Sequence, residues 1–195
     1  MERNIKEINI PSLAEVEQER ERLAYRRKYR KILGSTIGLL VVVAAAAVLL
    51  ATLIFPVIQV SGSSMEPTLY DRDILFLIKK NDYKTGELCS FDWQNKLLIK
   101  RIIGGPGDVI DIDENGVVSV NDEILDEPYV DDLALGECDL TFPYQVPDSR
   151  YFVLGDHRSV SIDSRSSAIG CIEKSQIIGK VLLRVWPLNR FSLVK

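Results

Sequence analysis

The sequence predicts an all-β domain attached to one N-terminal transmembrane helix, and two observations predict this fold class. Residues 32–65 contain no charged side chain, and residues 38–55 read GLLVVVAAAAVLLATLIF, an almost wholly apolar run. Beyond residue 56, short runs rich in β-branched and aromatic residues alternate with turn signals, which is typical of antiparallel strands. The chain of 195 residues therefore divides into three regions, at 1–31, 32–56 and 57–195.

The first region is strongly charged, with nine Lys or Arg and six Glu residues in positions 1–31. Ser12 and Glu15 have the spacing of a capping box, which predicts that a helix begins there. The last six residues of the region, RRKYRK, hold five positive charges directly before the apolar run. Positive charge concentrates on the cytoplasmic side of a membrane span. We therefore expect a cytoplasmic N-terminus and an extracytoplasmic position for residues 57–195.

The second region has the length and composition of a membrane-spanning helix. Its 18-residue apolar run makes a helix of about 27 Å at ~1.5 Å per residue, close to the thickness of a bilayer core. A buried core helix would show a polar stripe, and a cleavable signal peptide has a shorter apolar run nearer the terminus. The pattern favours a span at residues 32–56.

The third region is predicted to be a β-domain with little helix. Residues 121–150 are acidic and poor in strand patterns, which indicates an insertion or long loop at about residues 113–150. The seven predicted strands lie at residues 57–60, 74–78, 97–103, 108–112, 117–120, 151–155 and 177–186.

A cluster of serines directly after the apolar run raises the question of a nucleophile. Ser61, Ser63 and Ser64 are all candidates, but a serine hydroxyl needs a positioned base at neutral pH. The G-x-S-x-G motif of α/β-hydrolases is absent. His157 is the one histidine in the chain, so a Ser-His-Asp triad would have to use it. A neutral lysine can take the same role.

Lys100 is the candidate lysine because it lies within a predicted strand. Leu98, Lys100 and Ile102 share one face of that strand, and an ammonium among apolar side chains has its charged form disfavoured by desolvation. Bringing its pKa from about 10.4 to 7 costs roughly 4.6 kcal/mol, and documented burial shifts of about 3–5 units reach that value. The same alternation also fits an amphipathic or edge strand, so Lys100 alone does not decide the matter.

Three segments taken together resemble the bacterial type I signal peptidases (leader peptidases), most closely those of Gram-positive type. Ser64 opens SMEPTL, Lys100 opens KRIIGGPGD, and residues 155–165 read GDHRSVSIDSR. A fourth segment, GELCSF at 86–91, is a weaker match. The resemblance covers residues 32–195 and implies a mixed antiparallel β-sheet catalytic domain of the signal-peptidase/repressor-peptidase type.

The resemblance implies a membrane-anchored serine endopeptidase of the bacterial cell membrane that removes N-terminal signal peptides from exported preproteins. In this family a serine–lysine dyad acts through an acyl-enzyme, so Ser64 corresponds to the nucleophile and Lys100 to the general base. The family cuts after small residues, which implies two shallow apolar subsites. Supporting residues are implied as well: Ser161 to orient the Lys100 amine by a hydrogen bond, Asp163 and Arg165 as an ion pair that braces the loop, and Asp156 and Arg158 as further support.

Two positions affect the details of the predicted site. The oxyanion hole includes the Ser64 backbone N–H, and Gly62 supplies no side-chain donor where some relatives have a serine. His157 stands where the family usually has Asn. A polar substitution in a loop is the simpler interpretation, and a Ser64–His157 pair with a structural Lys100 is the alternative. Lysine is kept as the base because it occupies the family's base position.

The remaining features predict neither a cofactor nor a metal site. Cys89, Cys138 and Cys171 have no zinc-motif spacing; small buried side chains are the default, and a Cys138–Cys171 disulfide is an alternative. We expect secreted preproteins as substrate, contact with membrane lipid, no nucleic-acid binding and a monomeric chain. Phe76 and Phe91 are candidates for contact with lipid.

Two other functions compete with the peptidase. One is a catalytically silent, anchored β-domain that binds preproteins or envelope partners, which predicts an incomplete dyad. The other is a self-cleaving Ser-Lys peptidase like the repressor-type relatives, which are soluble, so the predicted membrane span argues against it.

Overall fold

The computed structural model describes residues 12–54 and 56–194. Helix α1 spans Leu13–Ile54, so residues 13–31 of the charged region and residues 32–54 of the predicted span form one continuous helix. The predicted capping box is present, because Ser12 N donates to Glu15 Oε2 at 2.8 Å and Glu15 N donates to Ser12 Oγ at 3.3 Å. Side chains are exposed on every face of the helix from residue 13 to residue 49, so α1 is not the buried core helix of a soluble domain.

The chain divides into two compact units between Ala51 and Thr52. The first contains most of α1, whose Leu13–Leu49 portion is long and apolar enough to cross a membrane. The second is built from strands β1 Val57–Gln59, β2 Ile74–Ile78, β3 Leu88–Trp93, β4 Lys96–Gly104, β5 Val109–Ile112, β6 Val118–Val120, β7 Glu123–Ile124, β8 Tyr144–Gln145, β9 Arg150–Leu154, β10 Ile172–Glu173, β11 Ile177–Trp186 and β12 Ser192–Leu193, with 3₁₀ turns at Lys174–Gln176 and Leu188–Arg190.

All seven predicted strands are present, and the structure adds β3, β7, β8, β10 and β12. Four of these five are two residues long, too short to produce a periodic pattern. The fifth, β3, buries four successive residues, Leu88 to Phe91, so it lacks the alternation of a half-exposed strand. Phe91 is completely buried, so the prediction that it contacts lipid was wrong.

The strands form two sheets in which every described pairing is antiparallel. The large sheet has the order β1-β2-β11-β3-β4-β9-β10, with β12 paired to β11; the small sheet has the order β7-β6-β5-β8. The segment expected to be an insertion or long loop, 113–150, carries β6, β7 and β8. These strands pack an apolar cluster that includes Ile110, Val118 and Phe152.

The centre of the large sheet positions the predicted catalytic segments. Lys100 of β4 pairs with Cys89 of β3, and Arg101 of β4 pairs with Leu154 of β9. Because β9 ends at Leu154, the segment 155–165 begins directly beside the middle of β4. Two segments that are 50 residues apart in the sequence therefore meet at this point of the sheet.

Candidate active site

Ser64 lies in the turn between β1 and β2, residues 60–73, which the core holds in place; because it carries the candidate nucleophile, we call it the nucleophile turn. Met65 and Leu69 are buried, and Leu69 N donates to Met65 O at 2.8 Å. Gly62 has a φ of +93°, a left-handed conformation that favours glycine. Its N–H donates to Asp71 Oδ1 at 3.1 Å. The apolar residues of SMEPTL thus anchor the turn and leave Ser64 at its partly exposed side.

The structure brings Ser64 and Lys100 together. Lys100 Nζ lies 2.7 Å from Ser64 Oγ, which is hydrogen-bond distance and is the separation that proton transfer requires. Among the described residues, neither Ser61 nor Ser63 has its hydroxyl hydrogen-bonded to a lysine or histidine side chain. Of the three candidate serines, Ser64 is therefore the one with a positioned base.

Lys100 is a buried cation without a carboxylate in contact. The residue is 3% exposed, and its amine forms no ion pair within the described parts of the chain. Burial is the main cause that lowers the pKa of Lys100 from 10.5 to about 8. Asp163 and Asp156 raise this pKa and Arg165 lowers it, each through its charge. The burial expected from the apolar strand face is thus present, and it disfavours the charged form of the amine.

Ser161 is next to the nucleophile turn but does not bind Lys100. Its hydroxyl is buried and has no hydrogen-bond partner in residues 12–54 and 56–194, so the expected hydrogen bond to the Lys100 amine is not formed. Gly155 separates Ser161 from Ser64: a Cβ atom at Gly155 would lie 2.2 Å from Ser161 Oγ and 2.6 Å from Ser64 O. Only glycine permits this approach of the two segments.

The predicted ion pair of Asp163 and Arg165 is present and fully buried. Arg165 Nε and Nη2 donate to the two Asp163 oxygens, each at 2.8 Å. Asp163 Oδ2 also accepts from Gly155 N at 2.9 Å. The pair therefore fixes the backbone on which the nucleophile turn rests.

Asp156 and Arg158, the two further supporting residues, have partners that sequence reasoning missed. Arg101 Nε and Nη2 donate to Asp156 at 2.9 and 2.6 Å. Arg158 donates to Glu127 and, through Nε, to Gly155 O at 3.1 Å. Arg101 follows Lys100 in the KRIIGGPGD segment, so a signal for it was available. Glu127 lies in the acidic stretch that has no strand pattern, so no signal pointed to it.

His157 contacts the backbone of the nucleophile turn and not the Ser64 hydroxyl. His157 N donates to Ser64 O at 3.1 Å, and ring Nδ1 lies 3.3 Å from Ser63 O. The geometry favours Lys100 over His157 as the base. The Ser64 N–H has no acceptor within the described residues and is available for an oxyanion, whereas Gly62 offers no side chain.

A cleft of about 310 Å³ opens beside the dyad, lined by residues 57–62, 64, 65 and 97–100. Its walls are β1, the nucleophile turn and the first half of β4. Ile58, Val60 and Leu98 make much of the lining apolar. The cleft is therefore suited to an extended chain with small apolar side chains.

Cys89, Cys138 and Cys171 are all free thiols, so the alternative of a Cys138–Cys171 disulfide was wrong. Cys89 and Cys171 are buried and occupy the apolar clusters as small side chains. The described residues contain no group of three or more His, Cys, Asp or Glu side chains that could hold a metal ion.

Comparisons with known proteins place the chain in a family. Residues 33–186 match the family described as signal peptidase, peptidase S26. Signal peptidase I of Bacillus amyloliquefaciens is 34% identical over 169 residues, covering 80% of this chain and 89% of the relative. Signal peptidase IB of Staphylococcus aureus is 36% identical over 154 residues, covering 68% of this chain and 78% of the relative.

A solved structure of a signal peptidase I from Enterococcus faecalis is also similar, with a TM-score of 0.43 and 24% identity over 52% of this chain and 98% of that chain. The assignment rests on the family match and the two relatives, both of which cover most of the chain. Their names are those of serine endopeptidases, and the candidate pair Ser64 and Lys100 lies inside the matched residues. The chain belongs to the signal peptidase, peptidase S26, family of serine endopeptidases.

Proposed function

We propose that this enzyme removes N-terminal signal peptides from exported preproteins through an acyl-enzyme, with Ser64 as nucleophile and Lys100 as general base. The observation that carries the proposal is the 2.7 Å contact between Ser64 Oγ and the buried Lys100 amine. With the pKa of Lys100 lowered to about 8, about a tenth of the amine is neutral at pH 7. That fraction is enough to serve as a base near neutral pH.

Each step uses groups that the site already holds. Neutral Lys100 takes the proton of Ser64 as Oγ bonds to the scissile carbonyl carbon, and the Ser64 N–H donates to the oxyanion. The Lys100 ammonium then protonates the leaving amine as the C–N bond breaks, which releases the mature protein. Lys100 next takes a proton from water as the water oxygen bonds to the ester carbonyl carbon. The Lys100 ammonium returns that proton to Ser64 Oγ as the bond from the carbonyl carbon to Oγ breaks, which frees the signal peptide and restores Ser64.

The cleft beside the dyad supports an extended peptide as substrate. Strand β1 is the last strand on its side of the large sheet, so its outer edge is suited to main-chain hydrogen bonds with an added strand. Small apolar residues before the scissile bond fit the lining of Ile58, Val60 and Leu98.

The sequence and α1 support a single-pass anchor at the bacterial cell membrane. Residues 1–31 are the cytoplasmic segment, residues 32–56 the span in contact with lipid, and residues 57–195 the extracytoplasmic catalytic domain of a monomeric chain. The five positive charges of residues 26–31 support this orientation. No nucleic acid takes part in the reaction.

A preprotein cleavage assay with the full chain in detergent tests the proposal. Ser64→Ala and Lys100→Ala are each expected to abolish cleavage, while the matched control Ser63→Ala retains it. Cleavage by Ser64→Ala would assign the nucleophile elsewhere. A wild-type chain that binds preprotein and never cleaves it would favour the silent binding domain.

A further inference from the structure

The segment 127–136, which follows β7 and which we call the strap, is attached to the catalytic region by three arginines. Arg101, Arg158 and Arg165 are among the largest fully buried side chains in the described residues. A buried guanidinium is stable only when its charge and its donors are satisfied. Side chains and backbone carbonyls of the strap supply some of these contacts for all three arginines.

The first half of the strap contributes Glu127 and Tyr129. The Glu127 carboxylate accepts from Arg158 Nη2 and from the Tyr129 hydroxyl, the latter at 2.8 Å. The Tyr129 ring lies under the Arg101 guanidinium, with Cζ 3.7 Å from the ring centroid. This is a close cation–π contact in a site that is shielded from water.

The second half of the strap is held through its backbone. Arg165 Nη1 donates to Ala134 O at 3.2 Å and to Leu135 O at 2.6 Å. A Cβ atom at Gly136 would lie 2.5 Å from Arg158 O, so the strap approaches the loop at residues 155–165 as closely as backbone allows. The strap is therefore attached at both of its ends, while residues 131–133 between them are exposed.

Two of these arginines, Arg101 and Arg158, also connect to the backbone beside Lys100 and Ser64. Arg101 directly follows Lys100 in β4 and is paired with Asp156. Arg158 Nε donates to Gly155 O at 3.1 Å, and Gly155 is the residue against which Ser64 O packs. Glu127 thus contacts Arg158, which holds Gly155 beside Ser64. Tyr129 contacts Arg101, which is the backbone neighbour of Lys100.

We propose that Glu127 and Tyr129 are positioning residues for the Ser64–Lys100 dyad, acting through Arg158 and Arg101. Without the Glu127 charge, Arg158 is a buried cation with no ion-pair partner among residues 12–54 and 56–194, and it leaves Gly155 to find solvent or another acceptor. The nucleophile turn then shifts relative to Lys100. Displacements of about 1 Å at a reacting pair cost on the order of 100-fold in rate.

This inference rests on the proposed function, and its test measures kcat and KM separately for cleavage of a preprotein by the full chain in detergent. Glu127→Gln and Tyr129→Leu are each expected to lower kcat by roughly 10- to 100-fold and to leave KM within about threefold. Tyr129→Phe, which keeps the ring under Arg101 and loses the hydroxyl, is expected to lie between Tyr129→Leu and wild type. The matched control is Glu173→Gln, which removes a half-exposed ion pair with Arg150 and leaves both constants unchanged.

All rates are measured well below the thermal unfolding midpoint of each variant, so that unfolded enzyme does not lower the measured kcat. Wild-type kcat in folded Glu127→Gln and Tyr129→Leu would overturn the inference, as would a loss confined to KM. Tyr129→Leu leaves every charge in place and carries the test if Glu127→Gln does not fold. An inactive wild-type chain would instead overturn the proposed function, so the two failures are distinguishable.

Discussion

Lys100 and Arg101 are neighbouring cations on opposite faces of β4, and their surroundings differ completely. Both are buried, at 3% and 1% exposure. Arg101 is paired with Asp156 and stacked on Tyr129, whereas the Lys100 amine contacts the Ser64 hydroxyl and no carboxylate in the described residues. The surroundings of Arg101 stabilise its positive charge, whereas the surroundings of Lys100 favour the neutral amine by lowering its pKa.

Under the proposed mechanism, one strand serves stability and catalysis together. Successive side chains of a strand point to opposite faces, so a permanent cation and a removable one can be adjacent without sharing an environment. A guanidinium does not lose its proton in proteins, and full pairing makes its burial tolerable. A lysine amine does lose its proton when it is desolvated, which provides the base.

The largest effect is expected from Lys100→Arg, which gives both faces a permanent cation. The guanidinium cannot accept the Ser64 proton, so kcat for preprotein cleavage should fall by more than about 10³-fold. Lys96→Arg is the matched control, because Lys96 is exposed in the same strand, and it should cleave normally. Turnover by Lys100→Arg within tenfold of wild type would exclude Lys100 as the base.

Asp156→Asn removes the negative charge that offsets the desolvation cost of the buried Arg101 guanidinium. A buried pair that loses one partner costs about 3–5 kcal/mol, and this loss is expected in the free energy of unfolding measured with urea. The corresponding change at the exposed Arg150–Glu173 pair, Glu173→Gln, should cost less than about 1 kcal/mol. Equal losses in the two variants would contradict the view that burial of Arg101 depends on Asp156.

Lys100→Met is expected to make the inactive protein more stable at pH 7. Lowering the pKa from 10.5 to about 8 corresponds to a cost of about 3 kcal/mol for the folded wild type. Between about pH 8 and pH 10.5 the unfolded wild type binds more protons than the folded chain, so its stability rises with pH in that window. The gain of about 3 kcal/mol in Lys100→Met should therefore be complete below pH 8 and disappear towards pH 10.5.

Unfolding free energies measured across this pH range, with Lys96→Met as the exposed control, check that expectation. A Lys100→Met variant that is less stable than wild type at pH 7 would show that the amine is satisfied as a cation. Both faces of β4 would then stabilise a positive charge.

The smallest effect is expected from His157→Asn, because the backbone contact of residue 157 with Ser64 O does not depend on its side chain. An Asn amide can also donate to Ser63 O, which the His157 ring now faces. Cleavage rates should remain within about threefold of wild type on the basis of one weak hydrogen bond. Complete loss of activity in His157→Asn, together with an active Lys100→Arg, would make His157 the base.

The contact between Ser64 and Lys100 and the main strands could be predicted because their signals are local. Ser64 and Lys100 stand in short segments with a recognisable residue order, and long strands such as β4 and β11 show a clear β-pattern. The partners of the arginines could not be predicted. Glu127 meets Arg158 across 31 residues, and the stretch 121–150 that contains Glu127 is poor in strand patterns. The direction of Ser161 and the burial of Phe91 depend on tertiary packing that no local pattern reports.

With Lys100 as the proposed base, activity depends on the exclusion of water from one buried nitrogen atom, Lys100 Nζ. In bulk water the same amine has a pKa of about 10.4, so only about one molecule in 2,500 would be neutral at pH 7. Any local opening that hydrates this nitrogen switches off Ser64 while the strands around it are still paired. The enzyme is therefore expected to lose activity through hydration of the Lys100 amine before the domain unfolds.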